Sequence, residues 1–579
     1  MQTIDGMSRL LEIIDLTVDF STPRGSTRAV DNLSLYLDKG ETLGIVGESG
    51  SGKSVTALSV MRLLDTPPAQ ISNGKILYTT KDNANAATPG PVDLLQLRNS
   101  ELRPYRGAEI AMIFQEPMTS LNPVFRCGEQ VTEAIQLHQR VSLDKAKQIT
   151  LQLFEKVQLP DPERIFRAYP HQISGGQKQR VMIAMAMSCQ PAILIADEPT
   201  TALDVTVQKA ILDLMRELKE ASGLSMLFIS HDLGVISEIC DRVIVMYQGR
   251  VVETGPVAQI LKAPQHPYTK GLVACRPSLK HKLHRMPTVA DFLAEHDFEA
   301  HVVTAAATQK RREELFARDP VLQIKDLVVR YPAEKNWLGR PLKWLNAVNQ
   351  VSFDVYPGET FGLAGESGCG KTTLGRSIAR LTEAYSGRII YKGVDLQSLD
   401  ERDIRPYRRE IQVVFQDPYS SLNPRMTIGE AITEPMQVHR LHDNHAARRD
   451  KAVELLETVG LEADHLRRYP HEFSGGQRQR VCLARALSLE PKFLICDEVV
   501  SALDVSVQAT VLNLLMDLQE KFGLTYLFIS HDLSVIKQMC DRLLIMNAGE
   551  VEALGTPEEI FLNPEKEYVR RLVEAIPGQ

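Results

Sequence analysis

The sequence predicts an α/β protein made of two tandem copies of one unit, and three observations predict it. Long stretches recur along the chain, each copy has an apolar run leading into a glycine-rich loop, and each has a second apolar run ending in two acids. The recurrence decides the architecture. HQISGGQKQRV at 171–181 returns as HEFSGGQRQRV at 471–481, ADEPTTALDVTVQ at 196–208 as CDEVVSALDVSVQ at 496–508, and LFISHDLGVI at 227–236 as LFISHDLSVI at 527–536, each 300 residues later. Upstream the offset changes. GESGSGKS at 47–54 pairs with GESGCGKT at 365–372, 318 residues on, and IFQEPMTSLNP at 113–123 with VFQDPYSSLNP at 414–424, 301 residues on. The drift marks insertions in the first copy, among them the stretch 79–91, TTKDNANAATPGP, which reads as a surface loop. A two-fold repeat of this length is a duplicated domain, not a solenoid. It divides the chain into a first unit at 8–275, a linker at 276–320 and a second unit at 321–579.

Each copy opens with strand-like alternation, LEIIDLTVDF or LQIKDLVVRY, followed by a buried strand, TLGIVG or TFGLAG. The strand runs directly into G-x-x-x-x-G-K-[ST], so backbone N–H groups can turn inward around phosphate oxygens at the start of a helix. Gly47, Gly50, Gly52, Lys53 and Ser54 form this loop in the first copy, and Gly365, Gly368, Gly370, Lys371 and Thr372 in the second. The lysines are placed to neutralise phosphate, and Ser54 and Thr372 to reach Mg²⁺.

The next apolar strand, AILIAD or KFLICD, ends in Asp197 or Asp497, an acid suited to Mg²⁺. Glu198 or Glu498 follows, placed to orient or deprotonate a water attacking the terminal phosphate. Gln115 and Gln416 each follow an apolar run and could bridge Mg²⁺ or that water to a neighbouring surface. His231 and His531 lie just after the LFIS strands. A histidine there reads alone as structural, and its recurrence in both copies favours catalysis. SGGQ, Ser174–Gly175–Gly176–Gln177 and Ser474–Gly475–Gly476–Gln477, precedes a helix that the serine can cap, while the glycines permit close approach of a backbone or a phosphate. One unit thus carries two anion-facing sites for one nucleotide, which calls for pairing between units.

Composition bounds the function. The 579 residues are 44% hydrophobic and 24% charged, the balance of a soluble globular protein rather than a disordered one. With 66 Lys+Arg against 73 Asp+Glu the net charge is −7, which argues against a protein that coats nucleic acid. The cysteines at 127, 189, 240, 275, 369, 482, 496 and 540 form no C-x-x-C pair, and read as reduced, mostly buried thiols. The N-terminus lacks the apolar core of a signal peptide. The most apolar stretch, 181–196, is broken by Ser188, Gln190 and Pro191, and reads as a buried helix followed by a buried strand. In the linker, LKHKLHR at 279–285 is basic and a short helix is expected around ATQKRREELFARD; the simplest reading is a solvated connector.

The motif set resembles the ABC-type ATPase family over nearly the whole chain outside the linker and the insertion. The resemblance implies tandem P-loop NTPase domains, each a RecA-like mixed sheet core with a helical subdomain, paired head to tail. Each ATP, with Mg²⁺, would lie between the phosphate loop of one unit and the SGGQ of the other: Lys53, Ser54, Gln115, Asp197, Glu198 and His231 with Ser474–Gln477, and Lys371, Thr372, Gln416, Asp497, Glu498 and His531 with Ser174–Gln177. Asp204 and Asp504 match the loop that couples the sites, and Phe20 and Tyr331 sit where an aromatic stacks on adenine. Val499 replaces a proline usual in the family, and Ile173 and Phe473 replace a leucine; none removes a site residue, so both sites are expected to hydrolyse ATP. FQ-[ED]-P-x-x-SLNP, YPH-x-x-SGGQ-x-QR and the tail HPYTKGLVACRP at 266–277 look like the ATPases of dipeptide, oligopeptide, nickel and glutathione importers. Some members carry an iron–sulfur cluster in that tail; with Cys275 alone, none is expected here. The resemblance implies two integral-membrane permease subunits and a solute-binding protein as partners, no nucleic acid, and a peripheral place on the cytoplasmic face of the inner membrane. The competing readings are an ATPase acting on ribosomes or DNA, which the lack of zinc spacing and sustained heptads disfavours, and the energiser of an exporter.

Overall fold

The computed structural model describes residues 9–22, 25–79, 90–115, 120–201, 203–294, 298, 300–336, 340–501 and 503–576. Most of the 79–91 insertion therefore lies outside the described residues, as do 116–119 of the first FQEPMTSLNP segment.

Among the described residues each half has two sheets. In the first half the strands are β1 (Arg9–Thr22), β2 (Gly25–Asp38), β3 (Thr42–Val46), β4 (Ala69–Tyr78), β5 (Val92–Asp93), β6 (Ile110–Ile113), β7 (Ile193–Asp197), β8 (Ser225–Ser230), β9 (Arg242–Tyr247) and β10 (Arg250–Pro256). An antiparallel sheet runs β2-β1-β4-β5, and a six-stranded sheet runs β10-β9-β3-β8-β7-β6, parallel except at its β10 edge. The second half repeats this with β11 (Leu322–Lys335), β12 (Pro341–Val355), β13 (Thr360–Ala364), β14 (Ser386–Tyr391), β15 (Val394–Asp395), β16 (Ile411–Val414), β17 (Phe493–Asp497), β18 (Thr525–Ile529), β19 (Arg542–Asn547) and β20 (Glu550–Gly555).

The central strands are buried along their whole length, β3, β7 and β8 among them, because the parallel sheet is covered on both faces. That is why TLGIV and ILIAD are unbroken apolar runs while the β1 segment alternates. One face packs on the antiparallel sheet and the other on a group of helices that includes Cys127–Gln139, Leu143–Lys156 and Gly175–Met187. The apolar stretch at 181–196 divides between the helix ending at Met187 and β7. No helix among the described residues is long and apolar enough to cross a membrane.

The linker departs from the expectation of a solvated connector. Its helix forms as expected, Ala305–Phe316, but the segment is bonded along the second half. Asn513 embraces Met286, accepting from its N–H and donating to its carbonyl, both at 2.8 Å, and Gln538 does the same for Leu283 at 2.9 and 2.7 Å. Arg311 grips Asp541 and Arg285 pairs with Asp517. Buried apolar positions (Met286, Leu315) and side-chain amides facing backbone groups give the linker a fixed seat that composition alone does not reveal.

Candidate active sites

The phosphate loop leaves the C-terminal end of β3, where parallel α/β sheets place their ligands. Gly52 precedes the helix Lys53–Met61 at φ +99°, and a Cβ there would lie 2.5 Å from Ala29 O, so glycine is required. Lys53 is buried and its Nζ donates to Gly47 O at 2.7 Å and Glu48 O at 2.9 Å; Lys371 repeats both contacts at the same distances. Burial pulls the Lys53 ammonium below its usual value, against the opposing charges of Asp504, Glu198 and Asp197. The loop carbonyls thus curl the lysine back into the turn that would hold phosphate.

At the end of β7, Asp197 Oδ1 accepts from Ser54 Oγ at 3.1 Å, and at the end of β17 Asp497 Oδ1 accepts from Thr372 Oγ1 at 3.0 Å. Burial pushes Asp197 up to about 6, the Ser54 hydrogen bond working against it. Hydroxyl and carboxylate oxygens set side by side are a hard donor set that fits Mg²⁺, and a cation there would hold the buried carboxylate ionised.

Glu198 and Glu498 are the next residues, both in the left-handed region at φ +49° and +50°. A non-glycine residue in that region is strained, and here the bend turns the carboxylate away from the strand direction. Three groups converge on one oxygen: Gln115 Nε2 at 3.0 Å, Thr201 Oγ1 at 2.9 Å and His231 Nδ1 at 3.2 Å, all to Glu198 Oε2. In the second half Gln416 Nε2 lies 2.7 Å and His531 Nδ1 3.4 Å from Glu498 Oε2. Burial alone would raise Glu198, but the hydrogen bond and charge of His231, with Thr201 and Lys53, overcome it and hold the carboxyl at about 2. Glu498 is lowered in the same way, chiefly by His531 against burial. Each histidine is raised, its burial outweighed by that glutamate. The structure therefore brings the expected Gln, Glu and His together, with Gln bonded to the glutamate.

Ser174 and Ser474 cap their helices, each accepting from the N–H three residues on, at 3.3 Å, while Gln177 and Gln477 return a bond to the serine N–H. The two glycines between them differ. A Cβ at Gly176 or Gly476 would strike Val207 or Val507, whereas one at Gly175 or Gly475 would make only an ordinary contact with a leucine.

The two halves meet at these loops. Ser49 N donates to Asp504 Oδ2 at 2.9 Å, Lys209 Nζ donates to Glu574 O at 2.7 Å, and Thr201, His231, Ser501 and His531 line one small cavity. Phe20 and Tyr331 are not equivalent. Phe20 sits opposite Thr27, partly buried against the antiparallel sheet, while Tyr331 is 41% exposed opposite Leu345 on a longer hairpin.

Two features escaped sequence reasoning. Thr201 supports the glutamate directly, and a buried tyrosine hydroxyl accepts from each phosphate loop: Tyr268 from Glu48 N at 3.0 Å and Tyr568 from Glu366 N at 3.2 Å. The signal for the tyrosines was present, since 268 and 568 obey the same 300-residue offset as the motifs.

The chain is similar to known proteins over nearly its whole length. An ABC transporter family profile matches residues 30–201 and 348–501, and a profile for the oligopeptide/dipeptide transporter C-terminal region matches 252–296. Glutathione import ATP-binding proteins are similar over 98% of this chain: that of Escherichia coli (strain K12) is 47% identical and covered over 89% of its length, and that of Pectobacterium atrosepticum is 47% identical and covered over 90%. A dimeric ATP-binding cassette bound to ADP and Pi matches 43% of this chain and 99% of its own, at 26% identity and a TM-score of 0.38. With two family matches, relatives of this identity across nearly its whole length, and a complete set of phosphate-loop residues in each half, the chain belongs to the ABC transporter family as an ATP-hydrolysing member.

Proposed function

We propose that the chain is the ATPase subunit of an importer of glutathione, short peptides or a related small solute. The observation that carries this reading is that both halves keep the lysine, the hydroxyl–aspartate pair and the Gln–Glu–His cluster in matching geometry. The relatives named as glutathione import proteins, and the match to the oligopeptide/dipeptide region, supply the solute class.

In this reading Lys53 and Lys371 bind ATP phosphates. Ser54, Asp197 and Gln115, and likewise Thr372, Asp497 and Gln416, hold Mg²⁺, which when bound offsets phosphate charge. Glu198 and Glu498 stay ionised and orient the attacking water, steadied by His231 and His531. Ser474–Gln477 complete the first site and Ser174–Gln177 the second; the Ser49–Asp504 bond supports that pairing. A groove of about 810 Å³ in the second half, lined by Phe415, Gln416, Ser420, Val438 and His439, suits a helix of a membrane permease subunit. A solute-binding protein would deliver the solute, with the ATPase on the cytoplasmic face of the inner membrane. The units divide at 8–275, 276–320 and 321–579. Cys275 is a buried free thiol, and a single thiol supplies only one of the ligands an iron–sulfur cluster takes, so none is proposed.

The test is the pair Glu198→Gln and Glu498→Gln. Together they should abolish steady-state turnover while ATP binding persists, since loss of a general base costs ~10²–10⁴-fold. Near-normal turnover would refute the assignment, and one unaffected single variant would refute two working sites. In vesicles containing the co-isolated permease, the double variant should lose glutathione uptake; uptake indifferent to ATP hydrolysis would refute the transport reading.

A further inference from the structure

Where the linker docks on the second half it leaves a cleft of about 1130 Å³, walled by linker residues 276–282 and 302–312 and by residues of the second half. Lys537 lines this cleft and is only 5% exposed, yet among the described residues it makes no hydrogen bond or ion pair. The stem is packed while the ammonium keeps access to the cleft, the posture of a lysine that buries its chain and leaves its head free. Lys282 also lines the cleft; its Nζ donates to Cys540 O at 3.0 Å and its charge is shared with the nearby Asp541 carboxylate. Lys280, Arg276 and Arg312 add three more cations to the walls, against two acids, Glu558 and Glu559. Arg312 pairs with Glu559 at 3.2 Å, and Arg276 leans 3.8 Å from Asp232. The remaining lining mixes polar side chains such as Thr308, Gln309 and Ser534 with apolar ones, Leu279, Val303, Phe561 and Ile576 among them.

The repeat supplies a control. The position equivalent to Lys537 in the first half is Ser237, whose hydroxyl is satisfied by Gly234 O at 2.6 Å. The unpaired lysine thus occurs in the half on which the linker forms the cleft.

We propose that this cleft binds an organic anion with a carboxylate or phosphate head and a short apolar body. The head lies against Lys537 and Lys282, and the body against Leu279, Phe561 and Ile576. Such a ligand bridges linker and second half, in a cleft that shares Arg276, Pro277, Ser534 and Ile576 with the small cavity at His231 and His531, so the test keeps the nucleotide sites filled. The excess of cations selects a negative head, and the apolar walls select against a bare inorganic anion.

Calorimetric titration of the full-length protein, with ADP saturating the nucleotide sites, tests this with octanoate, octyl phosphate, octanamide and inorganic phosphate. Octanoate or octyl phosphate should bind at least tenfold more tightly than octanamide and inorganic phosphate, and the stronger of the two identifies the head. Lys537→Met should weaken that binding at least tenfold, and Lys537→Arg should keep it within threefold. Lys280→Gln, on an exposed part of the wall, should weaken it severalfold and keeps the test open if Lys537→Met does not fold. Absence of binding by both anions, equal binding of octanamide, or binding indifferent to the lysine substitutions overturns the proposal.

Discussion

The backbone N–H of Ser49, inside the first phosphate loop, donates a 2.9 Å hydrogen bond to Asp504 Oδ2, 455 residues away in the second half. Asp504 begins the helix Val505–Phe522 but makes no side-chain cap bond to it. Its counterpart Asp204 accepts instead from Val207 N at 3.0 Å and caps the helix Val205–Ser222. Equivalent residues in the duplicate thus do different work: one links the halves, the other ends a helix.

This difference predicts opposite phenotypes. Asp504→Ala should reduce ATP turnover about 3–10-fold with a smaller change in melting than Asp204→Ala, since this bond is exposed and water can replace it. Asp204→Ala should lower unfolding stability by ~1 kcal/mol, the ordinary cost of a lost N-cap. Steady-state ATPase and thermal melts on both variants decide it. Matching effects of the two substitutions would show that the linking role is shared.

The Glu198–His231 pair predicts a pH window. Glu198 is lowered from 4.5, so its stabilising contribution is present above 4.5 and is lost as pH falls towards about 2. His231 is raised above 6.5, so its contribution is complete below 6.5 and is lost as pH rises through the folded value. Both charges are therefore fully engaged between 4.5 and 6.5. In the ligand-free protein the His231 imidazole, followed by NMR, should titrate above 6.5. In Glu198→Gln, burial then dominates and the titration should move below 6.5, while an unmoved titration would mean that another group holds the proton.

Much of each site is legible in sequence because its chemistry is local. A phosphate loop needs its glycines, lysine and hydroxyl within eight residues, and a strand-end acid pair follows a recognisable apolar run. The β-strands of the central sheet are legible for the same reason, as unbroken apolar runs between turns. What sequence does not display is contact between distant segments. The left-handed bend at Glu198, the seat of Met286 on Asn513 and the reach of Tyr268 into the loop at Glu48 depend on how finished elements pack. Phe20 and Tyr331 show the limit from the other side, since matched positions on hairpins of different length do not share an environment.

The tyrosine contact gives a prediction that motif reading would not. Tyr268 is fully buried, and Tyr268→Phe removes the acceptor of the Glu48 N–H without creating a large cavity. An unsatisfied amide costs ~1–3 kcal/mol, felt in the loop that would grip phosphate. KM for ATP should rise about 5–10-fold or more with a smaller change in kcat, and Tyr568→Phe should act likewise through Glu366. A fall in kcat at unchanged KM would place the effect outside the loop.

The two glycines of SGGQ answer to different constraints, and substitution separates them. At Gly476 a Cβ would stand 2.3 Å from Val507 Cγ1, closer than real contacts allow, so Gly476→Ala forces the Val507 side chain to move and should cost ~1–3 kcal/mol of stability. At Gly475 the nearest atom is Leu503 Cδ2 at 3.9 Å, and alanine is the better helix former by ~1 kcal/mol, so Gly475→Ala should melt no lower than the parent protein. Nothing within the chain's own packing therefore calls for glycine at 475. If a phosphate approaches this helix start from the opposite loop, a methyl group there obstructs it, and turnover should fall at least tenfold in a fully folded variant. Full activity in Gly475→Ala would show that no ligand comes close to that backbone, and would break the proposed pairing of Ser474–Gln477 with the loop at Lys53.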